Sequence, residues 1–135
     1  DCYPHQMNQV FLNLITNSID ALDAVYEMSS HTNTDGISQS PCHTLEAPYL
    51  KIMTKRHPTH ISIHFIDNGL GIPDGIQSQI FDPFFTTKAV GKGVGLGLAI
   101  CFQIVTEMHD GGLTCHSNAS GTEMMIELPL NSDRK

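Results

Sequence analysis

Tryptophan is absent, Lys and Arg together number only 7 against 14 Asp and Glu, and aromatics make up just 7% of the chain. The net charge of −7 comes with scattered cations and no basic run, which argues against nucleic acid as a partner, because neutralising a phosphate backbone takes clustered Lys and Arg. No apolar stretch comes near the roughly 20 residues that span a bilayer, so no direct membrane contact is expected of this chain. Its first residues, Asp1 to Gln6, lack a basic region followed by an apolar one, and they lack a methionine, so the chain reads as a piece of something longer. Cys2, Cys42, Cys101 and Cys115 show neither a CxxC pair nor Cys/His ligand spacing. They read as reduced thiols of a cytoplasmic protein. No pair among the 8 histidines has metal-ligand spacing either.

What is present suffices for one domain over residues 1–135: at 40% hydrophobic content, that length closes a core without disulfide or metal staples. From Met7 to Val25, apolar residues recur at three and four, with Val10, Phe11, Leu14, Ser18, Ala21, Leu22 and Val25 together. This predicts an amphipathic helix, with Gln6, Asn13, Asn17, Asp20 and Ala24 on the opposite face. Residues 29–48 are polar and without periodicity, a long flexible surface loop. Two alternating strands follow, residues 49–54 and 60–67, with Leu50, Ile52, Ile61, Ile63 and Phe65 on one side and a hairpin between them. From Asp67 to Gly97 the chain is dense in Gly, Pro and Thr, with a short helical piece at Gly75 to Phe81. A second helix over residues 96–109 puts Leu98, Ile100, Cys101, Ile104, Val105 and Met108 on one face and stops at Asp110-Gly111-Gly112. A last hairpin covers residues 113–117 and 122–130. The order implies an α+β fold, helices layered on one face of a largely antiparallel sheet.

The chemistry concentrates in three places. Asn13 and Asn17 lie one helical turn apart, and an amide oxygen is a hard ligand suited to Mg²⁺, which takes few protein ligands. For Asn13, plain helix-surface placement is an equal reading. Asp67 ends a strand beside Asn68-Gly69-Leu70-Gly71, where a carboxylate can accept a hydrogen bond from the exocyclic amine of adenine while the glycines admit a flat ring. An ordinary Asp-Asn-Gly turn would look the same. Gly93-Val94-Gly95-Leu96-Gly97 opens a helix, whose free amides form an anion site. It follows no strand and lacks the P-loop pattern, so both the Rossmann and the P-loop nucleotide folds are disfavoured. Between the glycine clusters, Phe81, Phe84 and Phe85 precede Thr86, Thr87 and Lys88, a segment that could anchor a lid while Lys88 reaches a phosphate. Phe81 reads as core, and Lys88 and Lys92 also read as solvated charges.

Taken in order, these segments resemble the ATP-binding catalytic domain of sensor histidine kinases, within the gyrase, Hsp90, histidine kinase and MutL superfamily. QVFLNLITNSIDAL is similar to the family's asparagine box, DNGLGIP to its first glycine box, IFDPFFTTK to its phenylalanine box and GKGVGLGLAI to its second glycine box. The resemblance covers nearly the whole chain. It implies a Bergerat-type two-layer α/β sandwich with a mixed, mainly antiparallel sheet and about three helices. By the same resemblance, ATP and Mg²⁺ are bound, with Asn17 on the metal and Asn13 beside it near the phosphates as the catalytic pair. Asp67 would take the adenine amine, Gly69, Gly71, Ile72 and Phe85 would surround the nucleotide, and Thr122 would back the base pocket. Lys88, Gly93, Gly95, Leu96 and Gly97 would lie along the lid and phosphate loop.

The superfamily's ATPases and serine kinases carry a glutamate four residues before the Mg-binding asparagine. Here Asn13 stands there, and an amide is no general base near neutral pH. Transfer to a histidine needs no such base, since neutral imidazole is already nucleophilic. The resemblance therefore implies a protein-histidine kinase whose acceptor sits on a separate dimerisation helix. A response regulator receiver domain would follow as a further partner. None of the histidines here has the acceptor's setting; His109-Asp110 comes closest, but a helix end explains it as capping. Asp20 departs from the basic residue some members carry, which puts one phosphate contact in question. A degenerate nucleotide-binding module that controls docking, or a superfamily ATPase, are the alternatives.

Overall fold

The computed structural model describes residues 2–30, 46–88 and 93–130, so most of the expected 29–48 loop, with Cys42, lies outside the described residues. Helix α1 spans Pro4–Ser30, longer at both ends than the apolar repeat. Pro4 suits the first turn because its missing N–H would have no partner there, and the Tyr3 carbonyl accepts from Gln6 and Met7 N–H at 3.1 and 3.0 Å. Met7, Val10, Leu14 and Ser18 form its buried stripe. Asn13 and Asn17 are half-buried beside that stripe, not opposite it. The side facing away carries Leu12, Ile19 and Tyr26, all exposed.

Four strands follow as two hairpins: β1 Leu50–Arg56, β2 His60–Asp67, β3 Gly112–Asn118 and β4 Gly121–Pro129. They form one sheet in the order β1-β2-β4-β3, with every pairing antiparallel. No parallel partner occurs among the described residues, so the mixed character expected of the sheet has no counterpart there. β1 is an edge strand and largely exposed, Ile52 included, against its expected place on a buried side. Helix α2 is shorter than expected, Asp74–Gln77, and turns carry the chain from there to Phe84. Helix α3 spans Gly97–His109.

Both long helices pack on one face of the sheet. Val10 and Leu14 of α1 and Cys101, Ile104 and Val105 of α3 meet Phe65, Leu113, Met124 and Ile126 of the strands, with Ile80 closing one end. Each such side chain removed from water contributes about 1.5–3 kcal/mol. At the end of α3 the buried residue is His109 rather than Met108, which is exposed. His109 Nδ1 donates to the Ile104 carbonyl at 2.8 Å, and its Nε2 accepts from Tyr3 N–H at 3.0 Å. It ties the start of α1 to the end of α3, a tertiary role rather than a cap. The cap itself is Asp110, in the left-handed region at φ 51°, followed by a Gly111 N–H bond to Val105 O at 2.9 Å.

Candidate functional site

Between α1, the Asp67 to Pro73 loop, the Phe85 to Lys88 segment and the start of α3 lies a cavity of about 630 Å³, within the range of about 300–1,000 Å³ usual for small-molecule sites. Asn13, Asn17, Asp67, Gly71, Ile72, Phe85, Lys88, Gly93, Gly95, Leu96, Gly97 and Thr122 all line it. Residues up to 109 apart in sequence thus converge because α1 crosses over the end of β2, and β4 lies beside β2 with Thr122 directly opposite Asp67. Gly69 does not line the cavity. It is packed behind, where a Cβ would meet Ala21 Cβ at 2.8 Å and Asp67 Oδ1 at 2.9 Å.

At one end, Asp67 is 5% exposed. Its Oδ2 accepts from Ser18 Oγ at 2.9 Å and its Oδ1 from Gly69 N–H at 3.0 Å. The adjoining loop is clamped to the β3–β4 hairpin. Ser117 Oγ accepts from Ile72 N–H at 2.7 Å and lies 3.0 Å from Gly121 O and 2.8 Å from Thr122 Oγ1. Gln77 Nε2 donates to Ile72 O at 2.8 Å and to Ser117 O at 3.1 Å. Gly71 sits at φ +73°, and a Cβ on it would lie 1.9 Å from Asn118 O, so both the backbone angle and the space demand glycine.

At the other end, Asn13, Asn17 and Asp20 project from α1 toward the glycine-rich turn. Asn13 Nδ2 donates to Gly97 O at 3.4 Å, tying α1 to the first residue of α3. Leu96 caps α3 without a side-chain hydrogen bond, so the first amides of the helix are left for another acceptor. Gly95, at φ +74°, backs onto the aromatic segment: a Cβ would meet Phe84 C at 2.5 Å, and Phe84 N–H donates to Gly95 O at 2.8 Å. Lys88 Nζ is paired with Asp20 Oδ2. The lysine expected at a phosphate is therefore held by the acidic residue that stood out as a departure.

Two thiols sit next to this site. Burial pushes Cys101 up to about 11 against a hydrogen bond with Asn13 that favours the thiolate. Burial, then the negative charge of Asp67, pushes Cys115 up to about 11. Of the phenylalanines, Phe81 packs on the core and against Phe102, with centroids 5.3 Å apart, whereas Phe84 is 70% exposed.

A family model described as histidine kinase-, DNA gyrase B-, and HSP90-like ATPase matches residues 2–132. The chain belongs to this ATPase family. Among sequence relatives of this family member, the two-component sensor PprA of Pseudomonas aeruginosa is 36% identical over 125 residues, covering 93% of this chain and 12% of that protein. Sporulation kinase C of Bacillus subtilis is 35% identical over 130 residues, 96% of this chain and 24% of that one. The sensory histidine kinase/phosphatase NtrB of Rhizobium leguminosarum is 34% identical over 131 residues, 95% of this chain and 31% of that one. The chain thus spans less than a third of the length of these relatives. In structure it is similar to the nucleotide-free catalytic domain of histidine kinase ThkA, with a TM-score of 0.69 at 28% identity, covering 95% of this chain and 69% of the other. The four-stranded antiparallel sheet with three helices is that histidine kinase ATPase fold.

Sequence reasoning missed Ser18, Ser117 and Gln77 at this site. Ser18 carried a usable signal, a hydroxyl in the middle of an apolar stripe, where a buried donor must find a partner. Ser117 and Gln77 carried none, since their partners are set by how the hairpin meets the loop.

Proposed function

We propose that this chain is the ATP-binding catalytic domain of a two-component sensor histidine kinase, which holds Mg-ATP and passes the γ-phosphoryl group to a histidine on a separate dimerisation helix. One observation carries the reading: a single cavity joins a buried carboxylate, Asp67, at one end to two amides, a lysine and an uncapped helix start at the other. A purine at Asp67 leaves a triphosphate pointing toward Asn17 and α3. In this reading Asp67 accepts from the adenine amine, Gly71, Ile72 and Thr122 line the ring, and Phe85 borders the nucleotide. The amides of Gly97 and its successors receive phosphate oxygens, with Gly93, Gly95 and Leu96 forming the loop around them.

Mg²⁺ fits the donor set, because Asn17 and Asn13 each offer a side-chain amide oxygen on one half-buried stretch of α1. Asn17 would hold the ion with Asn13 beside it, and the ion supplies neutralisation of phosphate charge. The protein's own contribution is positioning: the cavity fixes the nucleotide, and Lys88 is free to take a phosphate once it leaves Asp20. Asn13 supplies no base, which favours a histidine acceptor over hydrolysis. The domain works where ATP is abundant, in the cytoplasm. Its partners are the parent kinase's dimerisation helices and a receiver domain. No helix among the described residues is long and apolar enough to cross a membrane.

The test is to mix the chain with γ-labelled ATP, Mg²⁺ and a dimerisation-helix fragment bearing the acceptor. Acid-labile phosphohistidine is the expected product. Free phosphate alone would make it an ATPase, and neither product would make it a nucleotide-controlled docking module.

A further inference from the structure

Among the described residues the carboxylate of Asp67 has two protein donors, one on each oxygen. Gly69 N–H holds Oδ1 from the loop and Ser18 Oγ–H holds Oδ2 from α1. Among the described residues no cation pairs with Asp67, so its orientation rests on these two neutral hydrogen bonds. Ser18 is 5% exposed and sits where the α1 stripe otherwise carries Val10, Leu14 and Ala21, a position at which alanine would pack with less desolvation cost. The hydroxyl therefore has a purpose other than packing.

We propose that Ser18 is a positioning residue for nucleobase selection: it fixes the plane of the Asp67 carboxylate so that one lone pair faces the purine amine. This inference rests on the adenine reading of Asp67. Without the Ser18 hydroxyl the carboxylate is held on one oxygen only and rotates about its Cβ–Cγ bond. The amine contact then loses its direction while the rest of the cavity is untouched. Ser18 also directly follows Asn17, so the same turn of α1 governs the base-reading end and the metal end, and a shift in helix register would disturb both.

Calorimetry on the chain with Mg-ATP and with purine riboside triphosphate, which lacks the amine, separates this role from a structural one. A hydrogen bond to a charged group corresponds to roughly tenfold or more in affinity, so the wild type should prefer ATP by about that factor. Ser18→Ala should lower ATP affinity several-fold, leave the analogue's affinity unchanged and bring the ratio toward one. In an Asp67→Asn background, Ser18→Ala should add nothing further. Equal weakening of both nucleotides, or an unchanged ratio, overturns the positioning role while leaving the adenine reading intact. A wild type that binds both equally overturns the adenine reading of Asp67 and this inference with it.

Discussion

Substituting Gly71 by alanine tests how the loop beside Asp67 is held. At φ +73° the new side chain meets the left-handed backbone penalty of about 1–2 kcal/mol. Its Cβ also falls 1.9 Å from Asn118 O and 2.9 Å from Asn118 C, backbone atoms of the β3–β4 turn that cannot swing aside as a side chain does. Relief requires the loop and the turn to part by more than an ångström, an overpacking cost of about 1–3 kcal/mol. That parting breaks the 2.7 Å bond from Ile72 N–H to Ser117 Oγ, worth about 1 kcal/mol. A loss of about 4 kcal/mol in a domain of this size lowers Tm by about 15 °C. Gly75→Ala is the matched control, because nothing lies within 4 Å of a Cβ at that position in α2, and its effect should stay within about 0.5 kcal/mol. Thermal and urea melts of both variants, with and without nucleotide, give the comparison. If Gly71→Ala melts within about 3 °C of Gly75→Ala, the argument that the loop is wedged against the turn is wrong.

Asn17→Ala should leave the melt unchanged, since alanine is the better helix former, yet abolish the Mg²⁺-dependent part of ATP binding by calorimetry; retained Mg²⁺ dependence would remove Asn17 from the metal. Asp20→Asn releases Lys88 from a half-exposed pair worth about 0.2–1 kcal/mol, so ATP affinity should rise up to about fivefold at low salt and the gain should shrink as salt is added. Unchanged or weaker binding at low salt would show that the pair does not compete with the nucleotide. At pH 8, iodoacetamide should modify exposed Cys2 and spare Cys101 and Cys115, whose thiols are pushed up to about 11. A folded thiol with a raised pKa contributes stability that is whole below its ordinary range and is lost as pH rises toward about 11. The urea midpoint should therefore fall over that window, and Cys101→Ala with Cys115→Ala should flatten the fall; an equal fall in the double variant would assign it to other groups.

The two long helices and both hairpins were legible because each writes its period into the chain: Val10, Leu14 and Ser18 for one, Ile63 and Phe65 for another. Dense glycine between Asp67 and Gly97 marked where the cavity would open, since backbone that close to other backbone tolerates no Cβ, as Gly71 and Gly95 show. Besides Ser117 and Gln77, three things were not legible. The Lys88 to Asp20 pair joins residues 68 apart, and no local pattern encodes a long-range ion pair. His109 read as a cap because its partner Tyr3 lies 106 residues away. The amides Asn13 and Asn17 were assigned to the wrong side of α1, because sorting by polarity alone ignores that a cavity wall is wet on one side and packed on the other.

The margins of the sheet bear on how the domain behaves in company. On one margin, β1 presents Lys51, Lys55 and Arg56 to solvent, charges that oppose the docking of a foreign strand. On the other, the Gln77 amide occupies the Ser117 carbonyl at the close of β3. A neighbouring copy thus meets repelling charge at one margin and a carbonyl already taken at the other, and both weigh against strand-to-strand addition.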